Sequence, residues 1–266
     1  MKIYFADSFT NEPFKGNPAA VCFPDTTIET AKMLMIAKEI GFSETAFLEK
    51  TVAQNTYNIR YFSPRKEIPL CGHATLASAK VLFDKYGLTD IAFITVENTI
   101  LKVRKAGGAI VMSFPVYDTT VLTVPVAITD ALGIKETVQT SFSSINKIVI
   151  LEIADAGILA ALKPDFNALL NSYEGINGVL VTAPSNTGEF DFQYRYFWPW
   201  AGTNEDPVTG GVQTFLTKYW SLKLNKRKLR SFQSSERTGF MTTELQGNEV
   251  LVYGNAIIIL EGELTL

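Results

Sequence analysis

The stretch RYFSPRKEIPLCGHATLASAKVLF (residues 60–83) recurs in altered form as RYFWPWAGTNEDPVTGGVQTFLTKYW (residues 195–220). The lag between the copies is 135 residues, close to half of the 266-residue chain. In each copy a strand-like segment is followed by an acid, a proline, a glycine and an amphipathic run with helical spacing. The repeat predicts two homologous halves, each built around one long helix that is entered through a glycine turn.

The boundary between the halves is expected near FPVYDTTVLTVP (residues 114–125). The predicted domains are residues 1–118 and 119–266. The prediction includes the possibility that about the last ten residues pack against the first half. If the halves face each other, two helix N-termini meet across one cleft, with His73 opposite Gly211. Free backbone N–H groups and aligned peptide dipoles make such ends favourable for anions. The expected ligand is therefore a small molecule that carries a carboxylate.

Short β-branched or alternating runs outnumber helical patterns and do not alternate with them regularly, which disfavours a dinucleotide-binding βαβ fold. Helical spacing appears at residues 29–40, 73–86, 127–132, 155–162 and 211–222. The sequence therefore predicts an α+β architecture.

Composition narrows the functional classes. The 24 basic and 27 acidic residues give a formal charge of −3, which offers no electrostatic reason to expect nucleic acid or an anionic membrane as a partner. The N-terminus lacks a signal-peptide pattern, and no apolar run approaches the ~20 residues that cross a bilayer, so a cytoplasmic location is expected. The cysteines Cys22 and Cys71 are expected to be free thiols, and the one histidine with two distant cysteines predicts no metal site.

Four motifs carry a family resemblance: GNPAAV (16–21), SETAF (43–47), RYFSPRKEIPLCGHAT (60–75) and EDPVTG (205–210). Their order and spacing resemble those of the phenazine-biosynthesis PhzF-like family of the diaminopimelate epimerase fold. The resemblance implies two pseudo-symmetric α+β halves, each with strands wrapped around a long central helix, and an active site in the cleft between them. It also implies isomerase or epimerase chemistry without a cofactor, and a homodimer.

The resemblance assigns roles to three residues and reveals one departure. It makes Glu44 the general acid/base, and it adds His73, preceded by Gly72, and Asp206 to the catalytic set. Related epimerases use a cysteine from each half, but here Cys71 aligns with Thr209, so a two-thiol mechanism is not available. Many family members read T-G-S-A-H where this chain reads TGGVQ (residues 209–213). That change leaves room for a protein that binds a metabolite without turning it over.

The residue types are compatible with these roles and with simpler ones. Partial burial on a turn is expected to raise the pKa of Glu44 so that it can take and return a proton; otherwise Glu44 caps a backbone amide. A helix N-terminus is expected to lower the pKa of His73 and favour a neutral imidazole; otherwise His73 is a buried residue bonded to a loop carbonyl. Asp206 either holds a polar substrate group, orients His73 or caps the turn at Pro207.

A second group of residues is predicted to bind substrate. Gly72, Gly210 and Gly211 are read as positions without room for a Cβ, because of a positive φ or a close ligand approach. Asn17 either lines the cleft or serves only the turn before its strand. Cys71 either contacts substrate or is a small buried hydrophobe like Cys22.

The predicted function is thus a cofactor-independent isomerase or epimerase of a small carboxylic acid that works by glutamate general acid/base proton transfer. The alternative is a catalytically silent metabolite-binding protein of the same fold. A two-base racemase that uses Cys71 is the weakest of the three hypotheses.

Overall fold

A computed structural model describes residues 1–265. The chain forms two compact units. Unit 1 consists of Met1–Ser113 together with the chain from Leu251 onward, and unit 2 consists of Phe114–Val250. The predicted division into halves at residues 1–118 and 119–266 stays a prediction.

Helices and strands both occur in each unit. The α-helices within residues 1–265 are α1 (Thr30–Ile40), α2 (Gly72–Tyr86), α3 (Val126–Leu132), α4 (Ala156–Ala161), α5 (Phe166–Leu170) and α6 (Gln213–Leu224). The strands are β1 (Lys2–Ser8), β2 (Asn17–Phe23), β3 (Glu44–Lys50), β4 (Thr56–Phe62), β5 (Glu67–Ile68), β6 (Asp90–Ile94), β7 (Ile100–Ala106), β8 (Ala109–Pro115), β9 (Thr120–Val121), β10 (Gln139–Ser143), β11 (Ile148–Glu152), β12 (Gly178–Pro184), β13 (Phe192–Trp198), β14 (Thr203–Glu205), β15 (Lys228–Gln233), β16 (Gly239–Gln246), β17 (Glu249–Gly254) and β18 (Ala256–Glu263).

Glycines end the two helices of unit 1 where the sequence predicts. Gly41 follows α1 with φ 75°, and Gly87 follows α2 with φ 68°, so both lie in the left-handed conformation that glycine adopts without strain. The five predicted helices are confirmed. Only α6 is displaced by more than one residue, because it begins at Gln213 rather than at Gly211.

Unit 1 is a mixed sheet that packs on α2. The strands pair in the order β18-β1-β2-β3-β4-β6-β7-β8, parallel at β2–β3 and β4–β6 and antiparallel at the other steps. Helix α2 contacts β1, β2, β3 and β18. Ten of its side chains are buried, including Leu76, Leu82 and Phe83, so apolar burial fixes the helix against the sheet.

Unit 2 is also a mixed sheet with helices. Its strands pair in the order β9-β10-β11-β12-β13-β15-β16, parallel at β11–β12 and β13–β15 and antiparallel elsewhere. Buried side chains of α6, among them Phe215, Leu216 and Trp220, form one core with Phe192 and Tyr194 of β13. The mixed sheets with helices confirm the predicted α+β class.

The two RYF segments lie on corresponding strands. β4 and β13 each have an antiparallel neighbour before them, a parallel neighbour after them and a short strand, β5 or β14, folded back on their C-terminal end. Nε and Nη2 of Arg60 donate to the two carboxylate oxygens of Glu67, each at 2.7 Å. Arg195 binds Glu205 in the same two-pronged way, at 2.8 and 2.7 Å. The two units thus use the same local arrangement, an arginine fork, to fix the turn before the long helix.

No helix among the described residues has both the length and the apolar composition needed to cross a membrane.

Candidate active site

A buried carboxylate and the single histidine of the chain meet in unit 1. Glu44 is the first residue of β3, and His73 lies in the first turn of α2. Oε2 of Glu44 lies 3.1 Å from Nε2 of His73, and each side chain is 8% exposed. Because α2 packs against β3, two residues from separate motifs form one charged pair.

Asn17 and Ser8 hold the histidine from its other side. Nδ2 of Asn17 lies 3.2 Å from Nδ1 of His73, and the Ser8 hydroxyl donates to the His73 carbonyl oxygen at 2.8 Å. Gly16 places Asn17 there: it has φ 69°, and a Cβ on it would lie 2.1 Å from the Ser8 carbonyl oxygen. Only glycine fits that turn, so the GNP motif positions a partner of His73.

The pairing reverses both pKa directions expected from the sequence. Burial raises the pKa of Glu44, but the hydrogen bond and charge of His73, helped by Ser43, outweigh burial and leave the pKa below its usual value. Burial lowers the pKa of His73, but its hydrogen bonds to Cys71 and Glu44, together with the negative charge of Glu44, outweigh burial and hold the pKa well above its usual value. The expectation was wrong because it considered burial and the helix end without the partner. At neutral pH the pair is a carboxylate and an imidazolium.

Cys71 is the third chemically active group of this cluster. Its Sγ lies 3.5 Å from Nδ1 and 3.9 Å from Nε2 of His73. Burial raises the pKa of the thiol, so the group is protonated at neutral pH and is a poor base. Both Cys22 and Cys71 are free, as the sequence predicts. Glu44, Cys71 and His73 are also the group of described residues whose side-chain atoms lie close enough to share a metal ion, all within 4.8 Å of one another.

In unit 2, Asp206 lies on the loop that leads to α6. Its side chain is buried, and Oδ2 accepts a hydrogen bond from the Thr209 hydroxyl at 2.5 Å. The carboxylate therefore fixes the turn around Pro207, which is the structural role considered from the sequence. The same bond engages Thr209, the residue that aligns with Cys71 in the repeat.

Three residues that the sequence analysis missed fix this loop. The Gln233 amide donates to the Asp206 carbonyl oxygen at 2.5 Å and accepts from the Thr209 backbone N–H at 2.7 Å. Ser235 donates to the Pro207 carbonyl oxygen at 2.5 Å, and Tyr194 donates to the Thr209 carbonyl oxygen at 3.1 Å. Gln233 and Ser235 belong to FQSSE (residues 232–236), a stretch without an obvious pattern, so no sequence signal identified them.

The three predicted glycines share an ordinary backbone conformation. Among the described residues with positive φ, Gly72, Gly210 and Gly211 do not appear, so backbone conformation does not explain them. A Cβ on Gly211 would meet no atom within 4 Å. Of the two explanations offered from the sequence, close ligand approach is therefore the one that stays a prediction.

The departure from the family motif is largely a matter of core packing. Val212 is 1% exposed within the core of unit 2. Gln213 is buried, accepts from the Thr217 hydroxyl at 2.9 Å and donates to Ser231 Oγ at 3.4 Å. Two of the three altered positions therefore serve the interior of unit 2.

The structure thus brings Asn17, Glu44, Cys71 and His73 together in unit 1. In unit 2 it places Asp206, Gly210 and Gly211 on one loop. Gly72 begins α2, directly before His73.

Known proteins resemble this chain over its whole length. The profile of the phenazine biosynthesis-like protein family, PhzC-PhzF, matches residues 6–262. An uncharacterized isomerase of Halalkalibacterium halodurans is 39% identical, covering 99% of this chain and 98% of the relative. Phenazine biosynthesis-like domain-containing protein 1 of Mus musculus is 37% identical, covering 100% of this chain and 99% of the relative. The crystal structure of an Enterococcus faecalis PhzF family protein has a TM-score of 0.92 at 35% identity, covering 100% of this chain and 99% of that chain. These matches confirm the resemblance seen in the four motifs: the chain belongs to the phenazine biosynthesis-like, or PhzF, family.

Proposed function

We propose that this protein is an isomerase that moves a proton within a small carboxylic acid, with Glu44 as the general acid/base. The observation that carries the proposal is the buried pair in which Oε2 of Glu44 lies 3.1 Å from Nε2 of His73. The isomerase name of the Halalkalibacterium relative, which is 39% identical, supports the reaction class.

The charge state of the pair suits this role. A carboxylate whose pKa is lowered is already deprotonated and ready to accept a proton, but it is a weak base. The C–H bond of the substrate must therefore be activated by other groups while Glu44 removes the proton. The cationic His73 and the backbone N–H groups of the first turn of α2 are the donors that would stabilise the negative charge developing on the substrate.

Glu44 would then return the proton to another carbon on the same face of the substrate. One group can do both because the carboxylate becomes a carboxylic acid in the first step and is regenerated in the second. His73 keeps its proton at Nε2 throughout, and the Asn17 side-chain amide lies against Nδ1 on the far side of the ring, where its oxygen can accept from the Nδ1–H. No metal or organic cofactor takes part in this scheme.

We assign Asp206 to the same activity as the residue that binds a polar group of the substrate. The support is its burial and the number of groups that fix its loop, namely Thr209, Gln233 and Ser235. The predicted contacts of Asn17, Cys71, Gly72, Gly210 and Gly211 with substrate belong to the same proposal.

The common pairing pattern of the two units supports descent from one repeated half. From β1 to β7 in unit 1, and from β10 to β16 in unit 2, the main pairings alternate antiparallel, parallel, antiparallel, parallel, antiparallel. Along the chain, each long helix connects the two strands of the second parallel pair: α2 lies between β4 and β6, and α6 lies between β13 and β15. We infer the two pseudo-symmetric halves of the diaminopimelate epimerase-like fold from this agreement and from the repeat.

Solvent deuterium incorporation tests the reaction class. Chelator-treated protein in D2O is incubated with amino-acid and aromatic carboxylates, and loss of C–H signals is followed by proton NMR. We expect at least one acid to exchange. An acid that raises the melting temperature without exchanging, in a series where none exchanges, would instead support the silent binding protein.

Family membership also supports a homodimer. Sedimentation equilibrium of the untagged protein is expected to give twice the mass of the 29.4 kDa chain. A mass equal to that of the chain at micromolar concentration contradicts this part of the proposal.

A further inference from the structure

Cys71 has no part in the proposed proton transfer, yet it lies beside both residues that carry it. Its Sγ is 3.9 Å from Nε2 of His73, the same nitrogen that lies 3.1 Å from Oε2 of Glu44. The three side chains supply a thiol, an imidazole and a carboxylate, which are the three ligand types that zinc binds in proteins. They leave the cluster with one ligand fewer than a closed structural site requires.

The spacing of these atoms approaches that of a zinc centre. Bonds of roughly 2.0–2.3 Å in a tetrahedral arrangement place neighbouring ligand atoms roughly 3.3–3.6 Å apart. The observed separations are 3.1 Å for oxygen to nitrogen and 3.9 Å for sulfur to nitrogen, and all three atoms lie within 4.8 Å. Sγ lies closer to Nδ1, at 3.5 Å, so the Cys71 side chain would have to rotate toward Nε2 to bring the three ligands to bonding distance.

The surrounding contacts are those that support metal ligands. The Asn17 amide bonds to Nδ1 of His73 and so leaves Nε2 directed at Glu44. Outer contacts of this kind fix the orientation of a ligating imidazole. The amide of Asn17 can present its oxygen to an Nδ1–H donor, as a metal bound at Nε2 requires.

We propose that Glu44, Cys71 and His73 form an inhibitory zinc site, with the fourth position open to water or to a substrate oxygen. The ion would replace one proton on His73 and one on Cys71, so two protons leave as Zn²⁺ enters. The buried cluster stays neutral in both states, because the imidazolium–carboxylate pair and the thiol are exchanged for Zn²⁺ with a thiolate and a carboxylate. Mg²⁺ and Ca²⁺ prefer oxygen ligands and would not compete.

A bound ion would remove Glu44 and His73 from proton transfer. This consequence rests on the proposed function, whereas metal binding itself does not. The two are separable because binding is measured without any substrate, and exchange is measured in chelator-treated protein.

Cobalt is the probe, because Co²⁺ occupies zinc sites and its spectrum reports the ligands. Untagged, chelator-treated protein is titrated with Co²⁺ and then with Zn²⁺. We expect a thiolate-to-cobalt charge-transfer band, the visible bands of tetrahedral cobalt and loss of both when Zn²⁺ displaces Co²⁺. The chain has a single histidine and two cysteines, so a shift of the one imidazole resonance with Zn²⁺ identifies His73 without further assignment.

Variants identify the sulfur. Cys71→Ser should abolish the charge-transfer band and weaken zinc binding at least about tenfold, by comparison with the ~10–100-fold effect of losing an outer contact. Cys22→Ala is the matched control and should bind cobalt and zinc like the parent. Mg²⁺ should leave the imidazole resonance in place.

Three results would overturn the proposal: parent protein that shows no thiolate-to-cobalt band, Cys71→Ser that binds zinc like the parent, or a band that disappears in Cys22→Ala. The first does not depend on any variant, so the test stands even if Cys71→Ser fails to fold.

Discussion

The carboxylate of Glu44 and the imidazole of His73 form a buried pair, with Oε2 and Nε2 separated by 3.1 Å. The pairing lowers the pKa of one group and raises the pKa of the other against the effect of burial. It joins the start of β3 to the start of α2 and creates the chemical centre of unit 1.

The pair predicts a pH window of stability. The pKa of His73 in the folded state lies above 6.5. Its contribution to folding stability is therefore complete below pH 6.5 and is lost as the pH rises through the folded-state pKa. The pKa of Glu44 in the folded state lies below 4.5. Its contribution to folding stability is therefore present above pH 4.5 and is lost as the pH falls through the folded-state pKa. The melting-temperature difference between the parent and Glu44→Gln should be largest between these limits. A difference that does not vary with pH contradicts the pairing.

We expect an alanine to be much more costly at Gly16 than at Gly107, another turn glycine with positive φ. Gly16→Ala places a Cβ 2.1 Å from the Ser8 carbonyl oxygen at a φ of 69°, whereas Gly107, with φ 58°, has no atom within 4 Å of an added Cβ. Gly107→Ala should cost about 1–2 kcal/mol of unfolding free energy from its φ alone, and Gly16→Ala should cost clearly more. Urea unfolding measures both. Equal losses would show that the clash relaxes without cost.

The altered α6 motif predicts unequal effects at neighbouring positions. Gln213→Leu leaves the buried Thr217 hydroxyl without its partner and should destabilise unit 2 by about 1–3 kcal/mol. Gly211→Ser enters open space and should change stability by no more than about 0.5 kcal/mol. Thermal unfolding of both variants measures the two stability changes. A neutral Gln213→Leu would show that the glutamine does not serve the core.

The two arginine forks should differ in strength because they differ in exposure. The side chains of Arg195 and Glu205 are 10% and 16% exposed, against 27% and 22% for Arg60 and Glu67. Arg195 also donates to the Leu162 carbonyl oxygen at 2.8 Å. Arg195→Met should cost about 3 kcal/mol or more, and Arg60→Met about 1 kcal/mol. Denaturant midpoints that reverse this order contradict the assignment.

Much of the fold follows from local patterns in the sequence. Gly41 and Gly87 stop α1 and α2 because left-handed backbone favours glycine, and the RYF repeat falls on β4 and β13. Helix α5 (Phe166–Leu170) was not among the predicted helices. The strands β10, β15 and β16 carry no comparable signal. Their sequences, QTSFS, KLRSFQ and GFMTTELQ, mix polar residues into both faces and lack a clear alternation.

The members of the buried cluster in unit 1 were predictable from the sequence, but the pKa directions of its groups were not. Asn17, Glu44, Cys71 and His73 were all identified, because family motifs mark them. The pKa directions of Glu44 and His73 depend on a tertiary distance, which no local pattern encodes. Gln233 was missed because its contacts with the Asp206 loop depend on β15 pairing beside β13.

The central claim is that Glu44 carries the proton, and solvent deuterium incorporation tests it most directly. The measurement uses the acid that exchanges fastest with the parent and compares Glu44→Gln with Glu49→Gln, a second glutamate of β3. Glu44→Gln should bind the acid within a few fold of the parent and incorporate no deuterium, because an amide keeps the shape but cannot take up the proton. Glu49→Gln should exchange like the parent. Deuterium incorporation by Glu44→Gln at the parental rate would contradict the account.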